Sequence, residues 1–218
     1  MFVTGNAVVI DLHALPGVWP AESLTHAFGP PIPSGDPQLD AVLGGGWPSP
    51  ALIELLIDHY GIGELTLMLP LIKSLIAARP GATVLWLNPP YELHALALVQ
   101  QGLDPAWQWI ASGLSEHDAA WAFEAGLRSG ACSVVIGWLQ RPAATILRRL
   151  KLAAGVGQTT AVLFRPGSAA DAPSPATVRL QLAPQPPCLA VHVLKIQGRR
   201  QAKLCLDLRA RIERGNSP

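Results

Sequence analysis

Residues 51–66 have the sequence ALIELLIDHYGIGELT, an apolar run followed by a loop that contains two glycines. The run over 51–57 is short and rich in Leu and Ile, which predicts a buried strand. Residues 65–78 have apolar side chains at helical spacing, and the Pro-Gly pair at 80–81 ends that helix. A strand, a loop with glycines and a helix, in this order, are typical of a phosphate-binding loop.

This loop lacks the side chains that phosphate chemistry requires. In the pattern G-x-x-x-x-G-K-[ST], backbone N–H groups surround the phosphates, Lys reaches the β- and γ-oxygens, and Ser or Thr holds Mg²⁺. On that spacing Asp58 replaces the first Gly and Gly63 keeps the second, while Gly61 is a further glycine in the loop. Glu64 stands in place of Lys, and Leu65 stands in place of Ser or Thr.

These replacements predict that the chain is not an enzyme and binds no nucleotide cofactor. Two like charges about 4 Å apart cost roughly 4 kcal/mol at an effective dielectric of about 20, so Glu64 would repel a triphosphate. The acidic residue that completes such a site, at the end of a later apolar strand, is replaced by Gly137 in the run 132–138. An active ATPase with unusual loops stays an alternative, which micromolar binding of ATP–Mg²⁺ would revive.

Further strand and helix patterns alternate on the C-terminal side of this unit, which predicts an α/β fold with a mostly parallel sheet and helices on both faces. The predicted strands lie at 82–87, 107–110, 133–136 and 160–164, and the predicted helices at 36–44, 91–101, 119–128 and 143–154. Three strands without helices between them follow at 177–182, 189–197 and 203–208, which predicts antiparallel strands at one edge. The loop over 165–175 is expected to be mobile.

The chain divides into an N-terminal arm rich in Pro and Gly (1–34), a domain (35–210) and a frayed tail (211–218). Its 218 residues are 50% hydrophobic, yet no run of about 18 apolar residues is present, so a membrane span is not expected. The N-terminus lacks the pattern of a signal peptide. Cysteines at 132, 188 and 205 are scattered, which favours buried free thiols in a reducing cytoplasm, and their spacing to the histidines predicts no metal site.

Charge is distributed unevenly along the chain. Residues 1–127 contain 2 basic and 12 acidic residues, whereas residues 128–218 contain 14 basic and 3 acidic residues. Such asymmetry is typical of proteins that bind partners electrostatically. It also permits head-to-tail self-association, and the alternative is a folded dipole whose halves face each other.

Two features are candidate contacts for DNA or a protein partner. The first is a C-terminal basic set, which consists of Arg199, Arg200, Lys203, Arg209, Arg211 and Arg214. It would contact DNA phosphates or an acidic surface, or it would be a solvated edge strand that charge protects from aggregation. The second is Trp19 in the N-terminal arm, which would anchor in a partner groove or lie against its own domain.

The segment that leads into the strand resembles the entry of RecA-like ATPases. It runs from Pro33-Ser34-Gly35 through Leu39-Asp40 to Leu43-Gly44-Gly45-Gly46 and Pro48, and the strand–loop–helix unit continues it. The later stretch over 191–198 is similar to the terminal strand and basic turn of the same group. With its degenerate phosphate-binding loop, the chain most resembles the ImuA/SulA group, ImuA above all.

The resemblance implies a RecA-like three-layer fold of the P-loop type and a non-catalytic accessory role in SOS-induced translesion DNA synthesis. ImuA proteins act with ImuB, with an error-prone DnaE-type polymerase and with RecA, so these are the implied partners. The alternative that the same group offers is a SulA-like cell division inhibitor, which would bind the tubulin-like division protein. No catalytic residue is carried over, because Glu64, Leu65 and Gly137 occupy the key places.

Overall fold

The computed structural model describes residues 29–196 and 201–208. The strands are β1 (Leu52–Leu56), β2 (Thr83–Leu87), β3 (Gln108–Ala111), β4 (Cys132–Trp138), β5 (Thr160–Arg165), β6 (Val178–Gln185), β7 (Cys188–Ile196) and β8 (Ala202–Leu206). The helices are α1 (Pro37–Leu43), α2 (Glu64–Ala78), α3 (Ala95–Gln100), α4 (Glu116–Ser129) and α5 (Ala144–Val156).

All eight strands belong to one mixed sheet with the order β3-β2-β4-β5-β1-β6-β7-β8. The six strands from β3 to β6 in this order are parallel, and β7 and β8 continue the sheet in antiparallel fashion. The prediction of an α/β fold with a mostly parallel sheet and antiparallel C-terminal strands is therefore confirmed.

Two hydrophobic cores cover the two faces of the sheet. Successive side chains of β1 point to opposite faces of the sheet, so Ile53 belongs to the core on one face and Leu52 to the core on the other. The first core receives Leu39 of α1 and Leu67 of α2, and the second receives Phe123 of α4 together with residues of α5. The sheet is thus a middle layer between helices, as the sequence predicts.

Capping side chains fix where two of the helices begin. Asp36 accepts hydrogen bonds from the backbone N–H groups of Gln38 and Leu39, and α1 ends at Gly44 with a φ of 92°. Ser115 accepts a hydrogen bond from the N–H of Asp118 at the start of α4. Both caps were predicted from the sequence, and each provides a hydrogen-bond acceptor for N–H groups in the first turn of its helix.

Two local predictions are wrong. Helix α3 begins at Ala95 instead of residue 91, because His94 has an extended backbone and its side chain accepts a hydrogen bond from the Ala97 N–H as the cap. The loop after β5 was expected to be mobile, yet it contains a 3₁₀ turn over Gly167–Ala169, and the guanidinium of Arg179 donates to its carbonyl oxygens. A buried charge therefore holds this loop in place.

The cysteine prediction is right for one residue and wrong for two. Cys132 is a buried free thiol. Cys188 and Cys205 form a disulfide, because the antiparallel pairing of β7 with β8 brings their Cα atoms to 5.6 Å. In residues 29–196 and 201–208, none of the helices has the length and hydropathy needed to cross a bilayer.

Several predicted contact residues lie outside the described residues, namely Trp19, Arg199, Arg200, Arg209, Arg211 and Arg214. Lys203 is described, and it is exposed on β8. Of the predicted arm, residues 29–34 are described. Gly29 N–H donates to the Ser49 carbonyl at 2.9 Å, and Ile32 pairs with Trp47.

Candidate functional site

The strand–loop–helix unit is present where the sequence predicts it. Strand β1 ends at Leu56, residues 57–63 form the loop, and α2 begins at Glu64. Gly63 precedes the helix with a φ of 104°, a conformation that L side chains rarely adopt. The loop therefore lies at the carboxyl end of a central parallel strand, which is where α/β proteins bind ligands.

The side chain of Glu64 closes this loop from within. Its Oε1 accepts a hydrogen bond from the Gly61 N–H at 2.8 Å, and the residue is only 5% exposed. In a working loop of this kind such N–H groups bind phosphate oxygens. Here a carboxylate of the chain itself accepts from the N–H. Glu64 stands at the sequence position where the phosphate-binding pattern has a lysine.

Asp58 joins the same loop to the segment after β5. Its Oδ1 accepts a hydrogen bond from the Gly167 N–H at 2.8 Å. A Cβ atom added to Gly167 would lie 2.3 Å from Asp58 Oδ2, so this contact leaves room for glycine alone. Leu208 approaches the loop at Gly63, where an added Cβ would lie 2.3 Å from Leu208 Cδ1. Two other segments of the chain thus contact the loop, while Asp58, His59 and Gly61 remain exposed.

Gly137 of β4 has no space for the carboxylate that a magnesium site would need. A Cβ atom added there would lie 2.8 Å from Phe123 Cε1 and 3.4 Å from the Cβ of Leu87. The ring of Phe123 is fully buried in the core under α4. An acidic side chain at this position would therefore have to displace a packed aromatic ring.

A buried ion-pair cluster lies on the α4–α5 face of the sheet. Glu54 of β1 is fully buried, and its two carboxylate oxygens accept hydrogen bonds from Arg165 of β5 and Arg179 of β6. Arg165 Nη1 is 2.5 Å from Glu54 Oε1. The pairing of β1 with β5 and β6 sets this arrangement, because the three residues come from adjacent strands. The cluster ties three strands together and is structural.

Several cationic side chains lie near the single carboxylate of Glu54. Burial lowers the pKa of Lys195, the charges of Lys151 and Arg179 lower it further, and Glu54 opposes them. Lys195 Nζ donates to the Ser174 carbonyl at 2.8 Å, so it too holds the loop after β5. Removal of the carboxylate would leave these charges facing each other.

A cavity of about 320 Å³ opens beside the closed loop, between the start of α2 and α3. Aromatic rings form its floor, where Trp86 and Trp138 stack with their ring centres 6.4 Å apart. Tyr91 is exposed at its rim and meets Tyr60 edge to face. Glu64 also lines the cavity, so the loop and the cavity share one carboxylate.

Two unpartnered polar atoms belong to residues that line this cavity. Among the described residues, neither Glu64 Oε2 nor Trp138 Nε1 has a hydrogen-bond partner, although both atoms are buried. The neighbouring Trp86 differs, since its Nε1 donates to Gln108 Oε1 at 3.0 Å. Buried polar atoms without partners are rare in native proteins, and an ordered water or a bound group can satisfy them.

The open edge of the sheet at β3 exposes large apolar side chains. Trp109 is 63% exposed and Ile110 is 47% exposed, and among the described strands β3 pairs with β2 alone. Trp107 immediately precedes the strand, and Leu96 and Val99 on the neighbouring α3 are also exposed. These five residues are called the β3-edge surface below.

Of the predicted site residues, the structure brings together Asp58, Gly61, Gly63, Glu64 and Leu65, in the loop and the first turn of α2. Gly137 lies two strands away from β1, with β5 between them. Sequence reasoning missed the partners of Glu54 and the β3-edge surface. The signals for them were a Glu inside an apolar strand and the uncharged segment over 107–110.

Proteins named cell division inhibitor SulA are similar to about half of this chain. The protein of Serratia proteamaculans (strain 568) is 35% identical over 115 residues, which are 52% of this chain and 66% of that protein. The protein of Yersinia enterocolitica is 33% identical over 100 residues, and that of Serratia marcescens is 36% identical over 102 residues. Each of these two matches covers 46% of this chain and 58% of the relative. The chain thus spans less than two thirds of these relatives, and no protein-family model matches it.

Proposed function

We propose that this protein is a non-catalytic member of the ImuA/SulA group with a RecA-like fold, and that it inhibits cell division in the SOS response by binding the tubulin-like division protein. The similarity to SulA proteins supports the choice of this role within the group. The observation that carries it is the β3-edge surface, a set of exposed, uncharged aromatic and aliphatic side chains at an open sheet edge. It belongs to a chain in which Glu64 takes an N–H of the loop after β1.

The two edges of the sheet differ in a way that favours protein binding at β3. Edge strands are normally protected from aggregation by charged side chains, and β8 has the exposed Lys203. Residues 108–111 carry no charge, and Trp109 and Ile110 project from opposite faces of β3. Large exposed apolar surfaces on soluble proteins mark interaction sites, and an open strand also offers its backbone for pairing.

The closed loop supports the absence of catalysis. Glu64 occupies the Gly61 N–H, and Phe123 fills the space next to Gly137. A protein that acts only by binding a partner does not require a lysine at position 64 or an acidic residue at position 137. The RecA-like assignment draws support from the strand–loop–helix unit at the centre of a mostly parallel sheet and from the two antiparallel strands at its end.

Polymer assembly of the tubulin-like division protein tests the proposal. The purified full chain, added at equal concentration to that protein with GTP, is expected to reduce the polymer recovered by sedimentation. Overexpression in bacteria is expected to produce filamentous cells. Unchanged polymer mass together with normal cell length would refute the role.

A translesion-synthesis adaptor is the second candidate, and the basic character of residues 128–218 favours it, because such a surface would bind DNA or an acidic partner. Its partners would be ImuB, the DnaE-type polymerase and RecA. Parallel co-purification with ImuB, RecA and the division protein separates the two candidates. Retention of ImuB without the division protein would favour the adaptor.

A serine in place of Trp109 is expected to weaken partner binding at least tenfold. Buried tryptophans in interfaces commonly contribute more than about 2 kcal/mol, whereas in the free chain this ring is mostly exposed. The free energy of unfolding should therefore change by less than about 0.5 kcal/mol. Inhibition of polymer assembly and urea denaturation measure the two quantities.

Leu152→Ser is the matched control for this prediction, because Leu152 is 65% exposed on α5, away from β3. It is expected to leave inhibition unchanged. Equal loss of inhibition in both variants would show that the effect is not specific to β3. It would contradict the assignment of β3 to the partner interface.

A further inference from the structure

The cavity beside the loop combines apolar walls with a buried carboxylate. Leu65, Leu69 and Leu98 form aliphatic walls, and the stacked rings of Trp86 and Trp138 form the aromatic floor. Glu64 is only 5% exposed, and its Oε2 lacks a hydrogen-bond partner among the described residues. A carboxylate in such surroundings gains strongly from a cationic hydrogen-bond donor.

The charged residues that line the cavity are acidic. They are Glu64 and Glu92, and the other titratable groups along it are Tyr91 and His94; the described lining includes no Lys or Arg. The buried carboxylate thus has no cation of the described chain beside it in the cavity. Charge complementarity therefore favours a positively charged occupant.

We propose that this cavity binds an arginine side chain of the partner protein. The guanidinium would donate to the carboxylate of Glu64 and lie on the ring of Trp86, since planar guanidinium groups stack on aromatic faces. The ring of Trp138 is itself stacked between Trp86 and Phe164. The aliphatic part of the side chain would lie along Leu65 and Leu69.

The size of the cavity agrees with one side chain. Pockets for small molecules span about 300–1,000 Å³, and this cavity, at about 320 Å³, lies at the lower limit. Single arginines that fill such pockets are among the residues that contribute most to binding between proteins. The inference rests on the proposed function, because it names the kind of side chain by which a protein partner would be held.

Binding of a small arginine probe tests the site without the partner. N-acetyl-arginine amide, titrated into the ¹⁵N-labelled full chain, is expected to shift the indole N–H resonances of Trp138 and Trp86 with saturation in the millimolar range. N-acetyl-citrulline amide has the same shape without the charge, and it is expected to bind at least tenfold more weakly. Equal shifts with both probes, or none up to about 50 mM, would overturn the proposal.

Glu64→Gln assigns the effect to this carboxylate. Glutamine keeps an oxygen that can accept from the Gly61 N–H, so the loop should hold its shape while the arginine probe loses at least tenfold in affinity. Glu124→Gln, a change of the same type at an ion pair on α4, is the control and should bind the probe normally. If Glu64→Gln does not fold, the two probes still decide the question on the natural chain.

Two further outcomes separate this inference from the proposed function. If Glu64→Gln loses probe binding yet inhibits polymer assembly as well as the natural chain does, the function stands and the partner does not use the cavity. The chain's own arginines are the other source of a guanidinium, since the described segment ends at Leu208 beside Gly63. A shift of the Trp138 resonance in an Arg209→Gln and Arg211→Gln double variant without probe would mean that the chain fills its own cavity, and would overturn the proposal.

Discussion

Replacement of Glu54 by glutamine is expected to lower the free energy of unfolding by about 3–5 kcal/mol, since breaking a buried ion pair leaves an uncompensated charge. Glu54 is fully buried between Arg165 and Arg179, whose side chains are each 7% exposed. Glutamine keeps the shape of the side chain but supplies no charge. Urea denaturation of the two chains measures the loss.

Glu124→Gln is the control for this prediction. Glu124 also pairs with two arginines, Arg128 and Arg149, but these are more than half exposed. Ion pairs of that kind contribute about 0–1 kcal/mol, because water screens them. A loss below about 1 kcal/mol for Glu54→Gln would mean that water or the loop after β5 compensates the two buried arginines.

Gly137→Asp is expected to destabilise the protein by at least about 3 kcal/mol, and it is not expected to create nucleotide binding. The new Cβ would meet Phe123 at 2.8 Å, which forces the ring from its place in the core. The carboxylate would also enter apolar surroundings next to Leu87, which adds a desolvation cost. Thermal or urea denaturation, with calorimetry for ATP, gives both results.

Gly137→Ala separates the two causes. Alanine brings the same Cβ without the carboxylate, and we expect a loss of about 1–3 kcal/mol. The difference between the two variants is then the cost of the buried charge. An Asp variant as stable as the natural chain would show that Phe123 can move, and that packing does not exclude an acidic residue at position 137.

Much of the fold was predictable because the sequence repeats one local unit. Apolar runs such as 51–57 alternate with helical spacing, and caps such as Asp36 and Ser115 fix where helices begin. Predictions failed where a feature depends on contacts between residues that are distant in sequence. The disulfide depends on the register between β7 and β8, and the order of the loop after β5 depends on Arg179, neither of which local patterns reveal.

The sequence predicts which residues stand in the candidate site, but it does not predict the contacts that these residues make. Spacing alone predicts that Glu64 and Gly137 stand where a phosphate site would need a lysine and an acidic residue. The hydrogen bond from the Gly61 N–H to Glu64 and the contact of Phe123 with Gly137 depend on tertiary packing, which spacing does not reveal. The β3-edge surface was hidden because a run such as 107–110 has the same composition in a buried strand as in an exposed edge strand.

Calorimetric titration of ATP–Mg²⁺ into the full chain tests the central claim most directly, since the loop N–H that a phosphate needs is held by Glu64. No saturable heat is expected up to about 1 mM nucleotide, where a binding free energy of about −4 kcal/mol would already be visible. Saturable binding with a micromolar Kd, accompanied by a shift of the Gly61 amide resonance, would contradict the account of a non-catalytic protein.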